Sequence, residues 1–257
     1  EKQQWEETMT GRDFSPTDAL GYHYMKGANM LKSEISSYDY HSTADALMGR
    51  FFYSFEDKYM LTASVRRDGY SAFGQSNPRA TFPSVALGWV FSEESFFRFE
   101  PMNYGKLRLS WGENGNRDIG MYDALSNMTT GSGKYPYVNS TGQAYEMSQL
   151  YVDRMANPNI KWETTTSYNA GLDFGFLDNR ISGSLDVYKM ETTDLLVDRK
   201  LPDFLGFNSV ATNLGEVQNK GFEFSLNTRN IDKPDFEWNT SFSFSLNRNK
   251  IIHLYGD

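Results

Sequence analysis

The sequence predicts an all-β chain forming a segment of a large antiparallel transmembrane β-barrel wall. Three observations predict it. Apolar and polar residues alternate with period two in run after run. Aromatic residues make up 16% of a chain whose mean hydropathy is −0.60. Tight connections alternate with long polar ones. Strands with one apolar and one polar face explain the first two together. An up-and-down sheet with turns on one side and loops on the other explains the third.

The elements follow in order. In Leu47–Phe55, Leu47, Phe51, Tyr53 and Phe55 lie on one face, with Arg50 and Ser54 on the other. In the run 59–68, Tyr59, Leu61, Ala63 and Val65 oppose Thr62, Ser64, Arg66 and Asp68. Only Glu56-Asp57-Lys58 separates these runs, a hairpin-sized turn. Val85, Leu87, Trp89 and Phe91 oppose Ser84, Ala86 and Gly88, and Leu107, Leu109 and Trp111 oppose Lys106, Arg108 and Ser110. Tyr168 to Phe174, Ile181 to Val187, Phe222 to Leu226 and Trp238 to Leu246 repeat the pattern, giving eight strands. Short connections are expected at Glu56–Lys58, Ser92–Asn103 (with a helical turn at 92–95), Asp178–Asn179 and Asn230–Asp235. Aromatics crowd these short turns, as an interfacial girdle would. Trp111 and Trp162 stand near the long loops, where the opposite girdle would be.

This reading divides the chain into an extracellular loop and strand-end region over 1–43, eight strands over 44–251, and the start of a further loop at 252–257. Long loops interrupt the strands at 69–81, 112–160 and 190–213. Neither end carries a terminal feature, so an interior piece of a longer chain is expected. With no cysteine, disulfides, Cys-ligated zinc and Cys nucleophiles are excluded. A net charge of −8 disfavours a nucleic-acid partner, which needs a basic face. No apolar run is long enough for a membrane helix, but a barrel strand needs only about 9–11 alternating residues.

No residue set suggests an enzyme or a cofactor. His23, His41 and His253 are widely spaced, against a zinc site or a nucleophile–His pair. Asn114, Asn116 and Asp118 alternate as in a calcium loop, but the later bidentate carboxylate is missing, so Asn-Gly-Asn reads as a loop entry and no metal is assigned. The sequons at Asn127 and Asn139 read as chance matches. Arg50, Arg66, Asp68, Lys106, Arg108 and Glu223 are expected to face the lumen as ion-pair partners for whatever fills it. Tyr122, Tyr135, Tyr137, Tyr145 and Tyr151 could stack on substrate, or fold the long loop and hold a capping partner.

Several segments resemble one family in its own order. They are Tyr59–Gly69 with Phe73-Gly74 and Thr81–Trp89, Lys106–Gly112 with Gly115-Asn116, Asn157–Glu163 with Tyr168–Asp173, Asn179–Asp186, and Asn213–Glu223. Together they resemble the SusC/RagA family of TonB-dependent outer-membrane transporters over most of the chain. The resemblance implies a 22-stranded barrel of Bacteroidetes around an N-terminal plug, capped by a SusD-like surface lipoprotein and energised by TonB. Such a pair imports glycans or peptides, and this chain would supply about a third of the wall, in contact with membrane lipid. Plug and TonB box would belong to the remainder of the barrel chain. Two other readings stay open: a passive porin or autonomous small barrel, and a soluble glycan-binding β-domain. The small Ser, Gly, Asn and Ala side chains of the polar face would not fill an eight-stranded barrel, which favours the wide wall.

Overall fold

The computed structural model describes residues 2–7, 38–73, 76–120, 122–207 and 209–254; the side chains of 2–7, 38–40, 128–135, 145–151, 153 and 203 lie outside the description. A short strand β1 (Lys2–Glu7) is followed by β2 (Tyr38–Phe55), β3 (Tyr59–Tyr70), β4 (Arg79–Trp89) and β5 (Met102–Asn116). The hairpin of β6 (Asn127–Val138) and β7 (Ala144–Arg154) leads into β8 (Glu163–Phe176) and β9 (Ile181–Thr193). The pair β10 (Leu196–Lys200) and β11 (Ser209–Asn213) precedes β12 (Glu216–Lys233) and β13 (Phe236–His253).

The eight expected strands are all present and form one antiparallel wall, in the order β2-β3-β4-β5-β8-β9-β12-β13, with β1 added outside β2. Among the described residues the wall is open: β13 ends the sheet at one side and β1 at the other. Register explains the alternation. Phe55, Tyr59, Trp89, Leu107, Leu172, Leu185, Phe224 and Phe244 each lie directly opposite the next, one unbroken apolar row. On the other face Arg50, Ser64, Ser84, Gly112, Ser167, Met190, Asn219 and Asn249 form an equivalent row of mostly small or polar residues. A register slip of one residue on any strand would break both rows.

The apolar face has no protein cover among the described residues. Leu87 is 51% exposed and Phe244 48%. No described helix is long and apolar enough to cross a membrane. Strands of 18 residues, as in β2, β12 and β13, would reach about 60 Å at the usual rise. That exceeds the membrane span, so part of each stands clear of it.

The tight turns use backbone the sequence allows. Glu56 and Asp57 both have φ of 52°, and Leu177, Asp178 and Asn179 have 54°, 56° and 61°. Paired positive φ values, as at Glu56 and Asp57, match the twist of a two-stranded hairpin, and Asp and Asn tolerate positive φ better than most residues. A 3-10 turn at Phe91–Glu93 stands close to the expected helical turn. The last turn falls after Lys233 instead of at Asn230, because β12 continues through an irregularity between Arg229 and Ile231. At the short-turn end Phe55 lies 6.4 Å from Tyr59, Trp89 6.0 Å from Phe91, and Phe174 5.7 Å from Phe176. An aromatic belt therefore rims this end.

Within the long segments 112–160 and 190–213 stand the strand pairs β6–β7 and β10–β11. The loop and strand-end region up to residue 43 holds β1 and the first residues of β2. One expectation needs correction. Trp162 is not a girdle residue. It is 5% exposed, inside a cluster with Phe73, Phe82, Ala124, Ile160 and Ala211.

Candidate functional site

Two features stand out on the polar face: a set of ion pairs near mid-strand and a cap over the long-loop end. Arg50, Arg66, Asp68, Lys106, Arg108 and Glu223 all share this face by register. Arg108 donates from Nε and Nη2 to the two Asp173 oxygens at 2.8 and 2.9 Å, and from Nη2 to Asp186 at 3.0 Å. The fork of the guanidinium suits this bidentate geometry. Gly171 makes room for it: a Cβ there would stand 2.5 Å from Asp186 Oδ1 and 2.7 Å from Arg108 Cζ. Two carboxylates therefore share one guanidinium, while Glu223 lies directly opposite Asp186 and Lys106 opposite Asp173. Further along, Arg66 pairs with Asp68 at 2.7 Å. Arg50 lies opposite Ser64.

The cap is built from chain segments far apart in sequence. Phe73 stacks on Trp162 with centroids 4.8 Å apart, and Phe82 meets the same indole edge-on at 5.8 Å. Phe82 is a polar-face residue of β4, so the cap core sits over that face. Gly115 permits it, because a Cβ there would lie 2.0 Å from the Phe82 ring. Two asparagines clasp the cap by backbone hydrogen bonds. Asn213 accepts from the Lys161 N–H at 2.8 Å and donates to the Lys161 and Asp194 carbonyls at 2.7 and 2.8 Å. Asn157 donates to the Ala211 carbonyl at 2.8 Å. The Asn157–Trp162 and Asn213 motifs of the sequence are therefore loop fasteners. Sequence reading missed that role because the partners Ala211 and Lys161 lie 54 and 52 residues away.

The five tyrosines do not form one site. Tyr122, with φ of 64°, pins the loop to β2: its hydroxyl accepts from the His41 N–H at 2.8 Å and donates to the His41 carbonyl at 3.2 Å. Tyr137 is exposed on β6 and lies opposite Tyr145 on β7. The side chains of Tyr135, Tyr145 and Tyr151 lie outside the described residues. Asn139 Oδ1 accepts from the Thr141 N–H and hydroxyl and the Gln143 N–H, shaping the β6–β7 turn. Asn116 likewise accepts from the Asp118 N–H at 3.1 Å and donates to Glu163 at 3.2 Å.

Where the cap meets the wall, a recess of about 480 Å³ is lined by Arg66, Asp68, Glu113, Asn114, Arg117 and Trp162, among others. Charges of both signs beside an aromatic ring suit a polar ligand or a polar protein surface. The recess holds no nucleophile–base pair and no described cluster of His, Asp and Glu that would hold a metal.

The chain is similar to known proteins throughout. A family model described as TonB dependent receptor-like, beta-barrel, matches residues 3–253. Curated relatives include SusC of Bacteroides thetaiotaomicron, a TonB-dependent receptor, 39% identical over 87% of this chain and 22% of its own length. TonB-dependent receptor P3 of Formosa agariphila is 36% identical over 99% of this chain and 25% of its own. The chain thus spans about a quarter of the relatives it matches. The solved RagAB peptide transporter superposes with a TM-score of 0.74 at 28% identity, over 86% of this chain and 23% of that one.

Proposed function

This chain belongs to the TonB-dependent receptor family of Gram-negative outer membranes, and from that premise we propose that its parent receptor imports nutrients, glycans or peptides, with a SusD-like surface lipoprotein. The observation that carries the reading is the division of one wall into two chemistries. The continuous apolar rows meet lipid. The face holding Arg50, Arg66, Asp68, Lys106, Arg108 and Glu223 meets the lumen and its plug, which the rest of the receptor supplies. TonB acts through that remaining part, and no step requires an enzyme. The long loops form the outer surface, and the recess beside Trp162 faces the path of entering substrate. The name of the RagAB peptide transporter makes a peptide cargo one of the two candidates.

An autonomous small barrel would pair its first and last strands, and among the described residues β1 and β13 are not paired. A soluble β-domain would cover its apolar face with a second sheet, and none lies on it among the described residues. The test of the proposal is made in the full-length receptor. Shortening the 122–151 stretch should weaken capping and uptake while leaving barrel assembly intact. Normal capping and uptake in that variant would leave the loops as surface cover and overturn the partner reading.

A further inference from the structure

The apolar face ends, toward the long loops, in a row of cations. Tyr168, Lys189, Lys220 and Arg248 lie directly opposite one another on β8, β9, β12 and β13. Adjacent strands stand about 4.8 Å apart, so three cations fall within about 10 Å. Like charges directly opposite are destabilising unless an anion joins them. Lys189 has one, Glu191, at 2.7 Å, which also accepts from Gln218. Lys220 and Arg248 have no ion-pair partner among the described residues, and Lys250 stands in the next row on β13, opposite Gln218. The nearest further carboxylate on this face is Glu216, beyond Gln218.

Below the cations the next row is wholly apolar: Ala170, Val187, Phe222 and Leu246. Both rows line one open groove of about 1120 Å³, together with Leu87 and Trp111. Cations over an apolar groove, flanked by Trp111 and Tyr168 at the depth where such rings favour headgroups, complement an anionic amphiphile. We propose that Lys189, Lys220 and Arg248 bind the phosphate of a phosphorylated outer-leaflet lipid whose acyl chains lie in the groove over Val187, Phe222 and Leu246. The lipid supplies a counter-charge for the cations that have no ion-pair partner among the described residues and seals the wall where it leaves the membrane. This inference rests on the lipid-facing orientation given under Proposed function.

The test uses the full-length receptor in detergent, titrated with bis-phosphorylated lipid A and followed by native mass spectrometry. Dephosphorylated lipid A and inorganic phosphate are the comparators. Lys220→Gln with Arg248→Gln should weaken lipid A binding about tenfold or more, as loss of charge-assisted contacts predicts. The milder single Lys220→Gln should weaken it about threefold. A nitroxide on Leu87→Cys reports orientation independently through its exposure to oxygen in bilayers. If that label lies in lipid while variant and parent bind lipid A equally, the headgroup site is overturned and the orientation stands. Equal affinity for dephosphorylated lipid A or for inorganic phosphate alone also overturns it. A label in water removes the orientation and the site together.

Discussion

Leu87 in the wall keeps 51% of its surface exposed, whereas Trp162 in the loop cap keeps 5% and Ile160 only 1%. Both regions are rich in large apolar side chains, yet only the cap buries them against protein. The apolar rows of the wall are instead ordered by backbone pairing, and in the proposed orientation lipid is their solvent. A membrane strand must satisfy every backbone group within the sheet, and the long registers β2-β3, β5-β8 and β12-β13 do so. The cap, which stands clear of the membrane in that orientation, needs a core of its own and assembles one from Phe73, Phe82, Ala124, Ile160, Trp162 and Ala211. Stability in the wall is thus a matter of register and solvent, and in the cap of packing.

The largest effect that separates the two regions is expected at Trp162→Ala. Truncating a buried aromatic costs about 3–5 kcal/mol. Phe73 and Phe82 should lose their shared partner, and hydrogen exchange around 157–163 and 211–213 should rise steeply. Protection in β8 and β9 should hold. Loss of protection across the wall as well would show that cap and wall are one cooperative unit.

A smaller difference is expected within the wall itself. Leu87→Arg should lower barrel stability in bilayers by about 2–4 kcal/mol if Leu87 lies near the bilayer midplane, and Ser84→Arg by far less. Urea unfolding of the reconstituted receptor measures both. Equal costs would break the distinction between the faces.

How much of this was open to sequence reading follows the same division. Period two reaches a strand only where one face is apolar, as in Leu107, Leu109 and Trp111. It therefore found the body of each wall strand and missed the start of β2, where Tyr38-Asp39-Tyr40-His41-Ser42-Thr43 is polar on both faces. It missed β6 for a related reason: Thr129-Thr130-Gly131-Ser132-Gly133-Lys134 offers no apolar face. Trp162 was misplaced because position near a strand end suggests a girdle, while its burial depends on Phe73 and Phe82, far away in the chain. The shared face of Arg66, Arg108 and Glu223 was readable from alternation. The bidentate Arg108 arrangement was not, since it depends on register across β5, β8 and β9.

The smallest expected effect lies at the rim opposite the cap. Glu94, in the connection after β4, accepts from the Tyr59 hydroxyl at 2.5 Å and from the Trp89 indole at 3.1 Å. These hydrogen bonds hold its carboxyl below the ordinary glutamate range, the Tyr59 bond foremost. A depressed folded value means that the contribution is present above the ordinary range and lost as pH falls through the depressed one. Tyr59→Phe should return the Glu94 titration toward the ordinary range. Infrared titration of the labelled carboxylate reads it, and because the site is exposed the change in stability should be slight. An unchanged titration would remove Tyr59 as the cause.

The central claim, that one face of the wall meets lipid and the other the lumen, is tested most directly by an accessibility scan along β8 and β9. Nitroxides placed singly at positions 169 to 173 and 183 to 187 of the full-length receptor in bilayers should alternate. Labels at Ala170, Leu172, Leu185 and Val187 should favour oxygen, and those at Asn169, Gly171, Ser184 and Asp186 should favour a water-soluble nickel chelate. The reverse phase, or no alternation at all, would contradict it.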